Sequence, residues 1–239
     1  MKISVIITTY QYGRYIKAAI DSVLNQTIAP ESYETIVVFR ESGDETRSVL
    51  LDYQYRPRFH VIEQTGRGLA QASNLGITQS QGDYIIRLDA DDQFFPQALL
   101  TLSGVLDEQL LIDFVYPDYV YFIEATGERR LKTLPAFDPE ELLRRGDFLS
   151  GGTMYRKRLF ERVGGYDESL ETLESYEFIL RLMKNNIRGM HVDAPLFEYR
   201  IHETSMSQDT AKISAAGKHI AERYGVSYHV GDHHPRKEL

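Results

Sequence analysis

The segment YIIRLDADDQFFP, residues 84–96, is the most informative part of the sequence. Its apolar run ends at Leu88, and Asp89, Asp91 and Asp92 occupy three of the next four positions. An apolar, β-branched run of this length predicts a strand that is buried on both faces. The three carboxylates that follow repel one another, and the whole chain already has a formal net charge of −8. A cation or a defined chemical role is therefore expected at this position.

The composition predicts a soluble α/β protein with one large domain or two small ones. Its 239 residues are 42% hydrophobic and 26% charged. The absence of cysteine excludes disulfides, cysteine-based zinc sites and a thiol nucleophile. The acidic balance argues against non-specific nucleic-acid binding. The first apolar run is too short for a signal peptide or a membrane span, so we expect a cytoplasmic protein.

The first half of the chain alternates between two kinds of hydrophobic pattern. Apolar runs at 3–8, 34–39, 59–64 and 83–89 predict buried strands, whereas 15–27 and 68–80 have helical spacing. This alternation predicts a parallel sheet with helices on both faces.

The second half has a different pattern. Residues 113–133 are aromatic and alternating, with a turn at 125–127, which predicts antiparallel strands. Short helices are expected at 138–146 and 156–165, a longer amphipathic helix at 173–186 and a strand at 190–202. The polar tail from about 209 is expected to be frayed at its end.

The aspartates at 89–92 have two interpretations when they are taken alone. Ligands of open parallel sheets bind outside the carboxyl ends of the strands, where carboxylates can converge on a divalent cation. Alternatively, the acidic turn is solvated and caps the helix that begins near Pro96.

Five segments together resemble the family 2 glycosyltransferases with the GT-A fold. In order along roughly residues 1–207, they are VIITTYQYGRYIKAAIDSVLNQT, GLAQASNLGITQSQGDYIIRLDADD, GGTMYRKRLFERVGGYDESL, ESYEFILRL and YRIHETSMS. The resemblance implies an inverting transfer of a sugar, such as a hexose, from a nucleotide-sugar donor to an acceptor hydroxyl. It also implies an α/β fold with a Rossmann-like, mostly parallel sheet, flanking helices and a smaller antiparallel portion.

The sequence has no internal repeat, low-complexity tract or linker, which predicts one domain over residues 1–239. Its nucleotide-sugar-binding half spans about 1–110, its acceptor-binding half about 111–207, and 208–239 form a C-terminal tail.

The resemblance also assigns roles to particular residues. A divalent cation, Mn²⁺ or Mg²⁺, is expected to be held by Asp89, Asp91 and His202. Donor binding is expected from Thr8, Tyr10, Gly68, Asn74, Asp89 and Asp92. Acceptor binding is expected from Gly151, Gly152 and Thr153. Asp92 either positions the donor sugar or caps the next helix.

Two departures from the family pattern concern donor binding. Phe39 and Arg40 stand where the family usually has an aspartate that hydrogen-bonds the nucleobase. Glu41 or Asp44 are candidate replacements, and Arg40 is a candidate contact for a donor phosphate. At a second place the family often has a basic residue before its asparagine, whereas this chain has Ser73; Arg67 is the candidate replacement for that charge.

A third departure concerns the catalytic base. The family usually has a Glu-Asp pair at the start of the helix predicted at 173–186, and this chain has Glu174 and Ser175. Because inverting transfer needs a carboxylate to accept a proton, Glu174 is the predicted base. Glu177 and Glu171 are alternatives. An acid favoured by the helix dipole is the non-catalytic interpretation of Glu174.

Three functions follow from these patterns. The first is a metal-dependent glycosyltransferase of polysaccharide or glycoconjugate synthesis. Its partners would be a nucleoside diphosphate sugar and a glycan or lipid-linked acceptor, met at the inner face of the membrane in the second case. The second function is a binding module or partner subunit that has lost turnover. The third, a nucleotidyltransferase, is disfavoured because TTYQYGRYI lacks a glycine-rich basic loop.

Overall fold

One nine-stranded sheet organises the residues that the computed structural model describes, namely 1–140, 151–205 and 209–226. The strands are β1 Ile3–Thr9, β2 Tyr33–Phe39, β3 Phe59–Glu63, β4 Tyr84–Asp89, β5 Gln93–Phe94, β6 Phe114–Ile123, β7 Glu128–Lys132, β8 Met154–Arg156 and β9 Gly189–Ile201. The helices are α1 Gly13–Leu24, α2 Thr46–Leu51, α3 Leu69–Gln79, α4 Ala98–Glu108, α5 Arg158–Val163, α6 Glu174–Lys184 and α7 Thr210–Tyr224. Most of the helix expected at 138–146 lies outside the described residues.

The first four long strands pair in parallel, as expected from their apolar runs. The sheet order is β3-β2-β1-β4-β8-β6-β9-β5, and β7 pairs with β6. Strand β1 lies between β2 and β4, with Thr9 opposite Phe39 and Thr8 opposite Asp89. The carboxyl ends of these three strands therefore meet at one edge, where an open parallel sheet binds its ligands.

The second half of the sheet is mixed. The hairpin of β6 and β7 is antiparallel, as predicted, and the amide of Gly127 donates to the carbonyl of Ile123 in its turn. Strand β8 pairs antiparallel with both β4 and β6. Strand β9 instead runs parallel to β6, a direction that the sequence pattern at 190–202 did not specify. Alternating hydrophobicity indicates an exposed and a buried face, but it does not specify the direction in which two strands pair.

Helix α1 covers one face of the parallel strands. Its apolar positions Ile16, Ile20 and Val23 are fully buried, as their helical spacing predicted. Every residue of β1 is also buried. Burying each such aliphatic side chain contributes about 1.5–3 kcal/mol, so this contact is a large part of the core.

The loop after β2 is held by the side chain of Asp44. One carboxylate oxygen accepts a hydrogen bond from the amide of Gly13 at 2.8 Å, and the other accepts from the amide of Thr46 at 3.1 Å. Burial works to raise the pKa of Asp44, but these hydrogen bonds hold it below its ordinary value. Asp44 thus satisfies the first amides of both α1 and α2, which have no partner within their helices.

The predicted C-terminal tail contains a packed helix, α7, which the sequence interpretation missed. Ile213 and Ile220 are buried, and Arg223 forms an ion pair with Asp167 in the loop before α6. The helix has few large apolar residues, and the two buried isoleucines are seven positions apart. A helix that packs on a protein usually has further apolar residues three or four positions away from each of these. The apolar stripe of α7 is therefore too narrow to predict its packing.

We predict that Asp167→Asn destabilises the protein in a pH-dependent way. Hydrogen bonds from Ser169 and the ion pair with Arg223 lower the pKa of Asp167 to about 2. Because its folded-state pKa is depressed, the stabilisation is present above the unfolded value, near pH 4, and is lost as the pH falls towards 2. We expect a loss of about 1–2 kcal/mol at pH 7, after allowance for partial exposure.

Urea unfolding of the parent and the variant between pH 7 and pH 2.5 measures this difference. Asp193→Asn, which changes an exposed aspartate of β9, is the control and should change stability little. A stability difference that stays constant across the pH range would contradict the assignment.

Candidate active site

A cavity of about 440 Å³ lies at the carboxyl ends of β1, β2 and β4. It brings together six of the residues predicted to bind donor or metal, namely Thr8, Tyr10, Gly68, Asp89, Asp91 and Asp92. The parallel strands β1 and β4 supply Thr8 and Asp89, and Gly68 precedes the first turn of α3. The position of the cavity is the one expected for an open parallel sheet.

The three aspartates carry more negative charge than their surroundings offset. Asp92 is buried, and burial together with the charges of Asp91 and Asp89 raises its pKa well above the ordinary value. Burial also raises the pKa of Asp89, although the neighbouring Arg87 opposes the shift. Ionising these carboxylates so close together therefore has a free-energy cost that a bound cation would relieve.

Arg200 holds the acidic turn mainly through backbone groups. Its amide donates to Oδ1 of Asp92 at 2.9 Å, while its Nε donates to the carbonyl of Asp91 at 3.0 Å. Its Nη1 lies 3.4 Å from Glu124. Because the guanidinium is directed to a carbonyl and to Glu124, it fixes the shape of the turn and leaves its carboxylates facing the cavity.

The structure places His202 against the acidic turn. Its Nε2 lies 3.0 Å from Oδ2 of Asp91, and its Nδ1 lies 3.0 Å from the hydroxyl of Thr204. The imidazole packs 4.8 Å from the ring of Tyr15, and its side chain is only 1% exposed. One ring nitrogen is therefore oriented by Thr204 while the other is directed at Asp91, as in many metal-ligating histidines.

The donor set fits a divalent cation, although its ligands are not pre-arranged. Within the described ranges, no three His, Asp or Glu side chains form a ready metal-binding group. Carboxylate oxygens are nevertheless the preferred ligands of Mg²⁺ and Mn²⁺, and imidazole is a common additional ligand. The negative charge of Asp89, Asp91 and Asp92 would attract such a cation. These residues and His202 are the ones that could hold the ion.

Arg40 follows β2 and lines the cavity across β1 from the acidic turn, which follows β4. Its guanidinium lies 4.7 Å from the centre of the Tyr10 ring, and both residues line the cavity. Gln64, at the end of β3, and Thr9 also lie there. Among the described residues that line the cavity, Arg40 is the only one with a positively charged side chain.

Three proposed replacements for the missing donor contacts lie elsewhere. Glu41 pairs with Arg47 and accepts the amide of Ser42 at 3.1 Å, whereas Asp44 caps α1 and α2. Arg67 is exposed and does not line the cavity. The structure therefore brings Arg40, rather than Glu41, Asp44 or Arg67, to the cavity.

Asn74, which was expected at the donor, is placed outside the cavity. Its side-chain carbonyl accepts from the amide of Tyr166 at 2.8 Å, and its amide donates to the carbonyl of Tyr166 at 2.9 Å. A further hydrogen bond joins it to Glu168. This two-way contact pins the loop after α5 onto α3, which is a structural role.

The predicted acceptor residues begin beside the acidic turn. A Cβ added to Gly151 would lie 3.8 Å from Oδ2 of Asp92, whereas one added to Gly152 would lie 2.6 Å from the ring of Phe197. Gly152 also has a φ of +78°, which favours glycine. Thr153 is buried. Gly151 thus remains close enough to the site for an acceptor role, while close packing alone explains Gly152.

The predicted base Glu174 begins α6 and forms a buried ion pair with Arg87, whose Nη1 lies 3.0 Å from its Oε1. Neither residue lines the cavity, whereas Glu171 does. The sequence interpretation did not single out Arg87. The available signal was a charged residue inside the otherwise apolar strand YIIRLD, where a side chain needs a buried partner.

Comparison with known proteins agrees with this architecture. Residues 4–164 match the family described as Glycosyl transferase family 2. A Haemophilus influenzae protein named "Uncharacterized glycosyltransferase" is 26% identical over 231 residues, which cover 93% of this chain and 76% of the relative.

Two solved structures show a similar fold. That of S. aureus TarS 1–349 in complex with UDP-GlcNAc has a TM-score of 0.76 at 20% identity and covers 96% of this chain and 68% of that one. That of the Pyrobaculum calidifontis mannosyltransferase PcManGT with GDP-Man and Mn²⁺ has a TM-score of 0.73 at 17% identity. The match covers 95% of this chain and 65% of the mannosyltransferase chain.

The fold and the cleft are those of a glycosyltransferase with the GT-A fold. The match covers more than half of the chain, and the chain belongs to glycosyl transferase family 2. In the part of the chain that the structure describes, no helix has both the length and the apolar character needed to cross a membrane.

We predict that Asn74→Ala lowers stability without weakening nucleotide binding. The change removes both hydrogen bonds to Tyr166 and leaves two backbone groups without those partners, which should cost about 1–3 kcal/mol. Urea unfolding and calorimetric titration with nucleoside diphosphates measure the two properties. Thr78→Ala, on the same helix, is the control. A loss of nucleotide affinity greater than about tenfold in folded Asn74→Ala would return this residue to the donor site.

Proposed function

We propose that this chain is a metal-dependent, inverting glycosyltransferase that uses a nucleoside diphosphate sugar. The observation that supports the proposal most directly is the cavity at the strand ends, with an acidic turn at one end and Arg40 at the other. The acidic end suits a divalent cation and the diphosphate bound to it. The end that contains Arg40 and Tyr10 suits the nucleoside.

Asp89 and Asp91 would hold the cation, and His202 would complete its ligands. The bound ion would act as a Lewis acid that stabilises the negative charge on the departing diphosphate. Arg200 keeps the turn in shape, because it bonds the backbone of Asp91 and the side chain of Asp92. Asp92 is directed towards the donor sugar in this proposal.

The acceptor hydroxyl would approach from the side of Gly151 and attack the anomeric carbon opposite the leaving diphosphate. A carboxylate in the segment 171–174 would take the hydroxyl proton as the new bond forms. A glycan or a lipid-linked glycan is the acceptor class in this proposal. The acidic cluster within a formed cavity favours turnover over a binding module, because a partner subunit has no need for unbalanced buried charge.

We predict that Asp91→Ala abolishes the metal-dependent part of donor affinity while the protein remains folded. The change removes a carboxylate that would ligate the cation, so addition of Mn²⁺ should no longer tighten nucleotide binding. Isothermal titration with UDP and GDP, with and without Mn²⁺, measures the effect. Asp91→Asn keeps an oxygen beside His202 and tests whether charge is needed.

Asp52→Asn, which changes an exposed aspartate after α2, is the matched control. Equal metal-dependent affinity in Asp91→Ala and in the parent would remove Asp91 from the metal site. A parent protein that releases no nucleoside diphosphate from any nucleotide sugar would favour the binding-module function.

We predict that Arg40 selects against uracil. A guanidinium only donates hydrogen bonds, so it leaves the uracil N3–H without an acceptor but can donate to acceptor atoms of cytosine or guanine. An unpaired buried group costs about 1–3 kcal/mol, or roughly tenfold or more in affinity. Competition among uridine, cytidine, guanosine and thymidine diphosphates measures the preference, and Arg40→Asp should shift it towards uridine.

The alternative contact for Arg40 is a donor phosphate. Arg40→Asp and Arg40→Met would then weaken binding of all four diphosphates by similar factors and leave their order unchanged. That result would contradict a role in nucleobase selection.

A further inference from the structure

We propose that Glu171 accepts the proton in the transfer step and that Glu174 neutralises Arg87 instead. This assignment rests on the proposed glycosyltransferase function and divides two roles between neighbouring carboxylates. It differs from the expectation based on sequence position, which placed the base at Glu174. The contacts of the two carboxylates separate them.

Glu174 is already committed to a buried partner. Its side chain is 6% exposed and that of Arg87 is 11% exposed, with 3.0 Å between Oε1 and Nη1. The hydroxyl of Ser175 also donates to the same oxygen of Glu174 at 3.1 Å. A carboxylate that takes up a proton would lose its attraction to the guanidinium and leave that charge buried without its main partner. Glu174 is therefore poorly suited to proton transfer.

Arg87 explains why serines stand at two unusual positions. Its Nη1 lies 3.3 Å from the hydroxyl of Ser73, and its Nη2 lies 3.4 Å from the hydroxyl of Ser175. Its Nε lies 3.4 Å from Asp89. The guanidinium on β4 thus fills the space between α3 and α6, and small hydroxyl side chains at both positions accept its hydrogen bonds. Among these neighbours of Arg87, Glu174 is the buried carboxylate that balances its charge.

The backbone turns sharply between the two carboxylates. Leu173 precedes α6 in the left-handed conformation, with φ 60° and ψ 21°, although it is not glycine. Such a conformation persists where the surrounding packing imposes it, and Leu173 packs against the hydrophobic core. On one side of this turn Glu174 reaches Arg87, and on the other side Glu171 lines the cavity that contains Asp89, Asp91 and Asp92.

Glu171 is exposed and only weakly paired. Its side chain is 80% exposed, and its ion-pair partner is Lys212 of α7 at 3.5 Å, which is itself 62% exposed. Such an exposed pair is weak and can separate when an acceptor binds. Because Glu171 borders the cavity from the α6 side, an acceptor hydroxyl between it and the donor would contact both.

Glu177, the remaining acid at this end of α6, is unsuited to the role. It is 1% exposed, and its oxygens accept hydrogen bonds from Arg181 at 2.7 and 3.1 Å and from the hydroxyl of Tyr224 at 2.5 Å. The contact with Tyr224 joins α6 to α7. Glu177 does not line the cavity.

The proton and electron balance of the step is simple. The oxygen of the acceptor hydroxyl forms a bond to the anomeric carbon, and its proton moves to a carboxylate oxygen of Glu171. The bond between the anomeric carbon and the diphosphate oxygen breaks, and its electron pair leaves with the nucleoside diphosphate. Glu171 then returns the proton to solvent.

The test compares Glu171→Gln, Glu174→Gln and the parent with water as the acceptor. Release of nucleoside diphosphate from UDP-GlcNAc and from GDP-mannose, with Mn²⁺ present, gives kcat and donor KM. We expect Glu171→Gln to lower kcat by about 10² or more, with donor KM and the urea midpoint nearly unchanged. Glu168→Gln, an exposed acid of the same loop, is the matched control.

Glu174→Gln should lower the urea midpoint, because it weakens a buried ion pair, and should reduce kcat of the folded enzyme by less than about tenfold. Azide supplies a second readout, since it attacks carbon without losing a proton. We expect Glu171→Ala to release nucleoside diphosphate in the presence of azide at a rate within about tenfold of the parent, while its reaction with water is lost.

Three outcomes overturn the assignment. The first is full kcat in Glu171→Gln. The second is a loss of about 10² in kcat of Glu174→Gln with an unchanged urea midpoint. The third is failure of azide to restore nucleoside diphosphate release by Glu171→Ala. All three require an active parent. A parent that releases no nucleoside diphosphate would instead contradict the proposed function, so the two failures are distinguishable.

Discussion

The site depends on the parallel pairing of β1 with β4. This pairing places Thr8 opposite Asp89 and brings the acidic turn to the edge where β2 also ends. Without it, the turn at 89–92 would face solvent as an ordinary acidic loop. The apolar interiors of both strands enforce the pairing, because their side chains are buried on both faces of the sheet.

Charge balance is the second organising constraint. The acidic turn is held by hydrogen bonds that the amide and Nε of Arg200 donate, while Arg87 is directed to Glu174 and only partly to Asp89. The protein thus stabilises the shape of the turn without cancelling its charge. Carboxylates that keep their negative charge attract a divalent cation. A bound cation would offset the charge of the carboxylates and that of a diphosphate.

The departures from the family pattern are resolved by contacts between distant segments. Arg87 on β4 occupies the space beside Ser73 on α3 and Ser175 on α6, so the three positions belong to one buried cluster. Asp44, expected as a replacement for the nucleobase contact, instead caps two helices. Each case shows that a residue's role followed from its partner in space, which its position in the sequence did not reveal.

The sequence by itself determined the parallel half of the fold, the acidic turn and most of the donor-binding candidates. These follow from local patterns, since apolar runs specify buried strands and their alternation with helices predicts parallel strands whose carboxyl ends share one edge. The tertiary structure decided the parallel direction of β9, the packing of α7, the hydrogen bonds of Asn74 with Tyr166 and the ion pair of Arg87 with Glu174. Those features depend on pairing, burial and ion pairs between residues far apart in the chain, which no local pattern encodes.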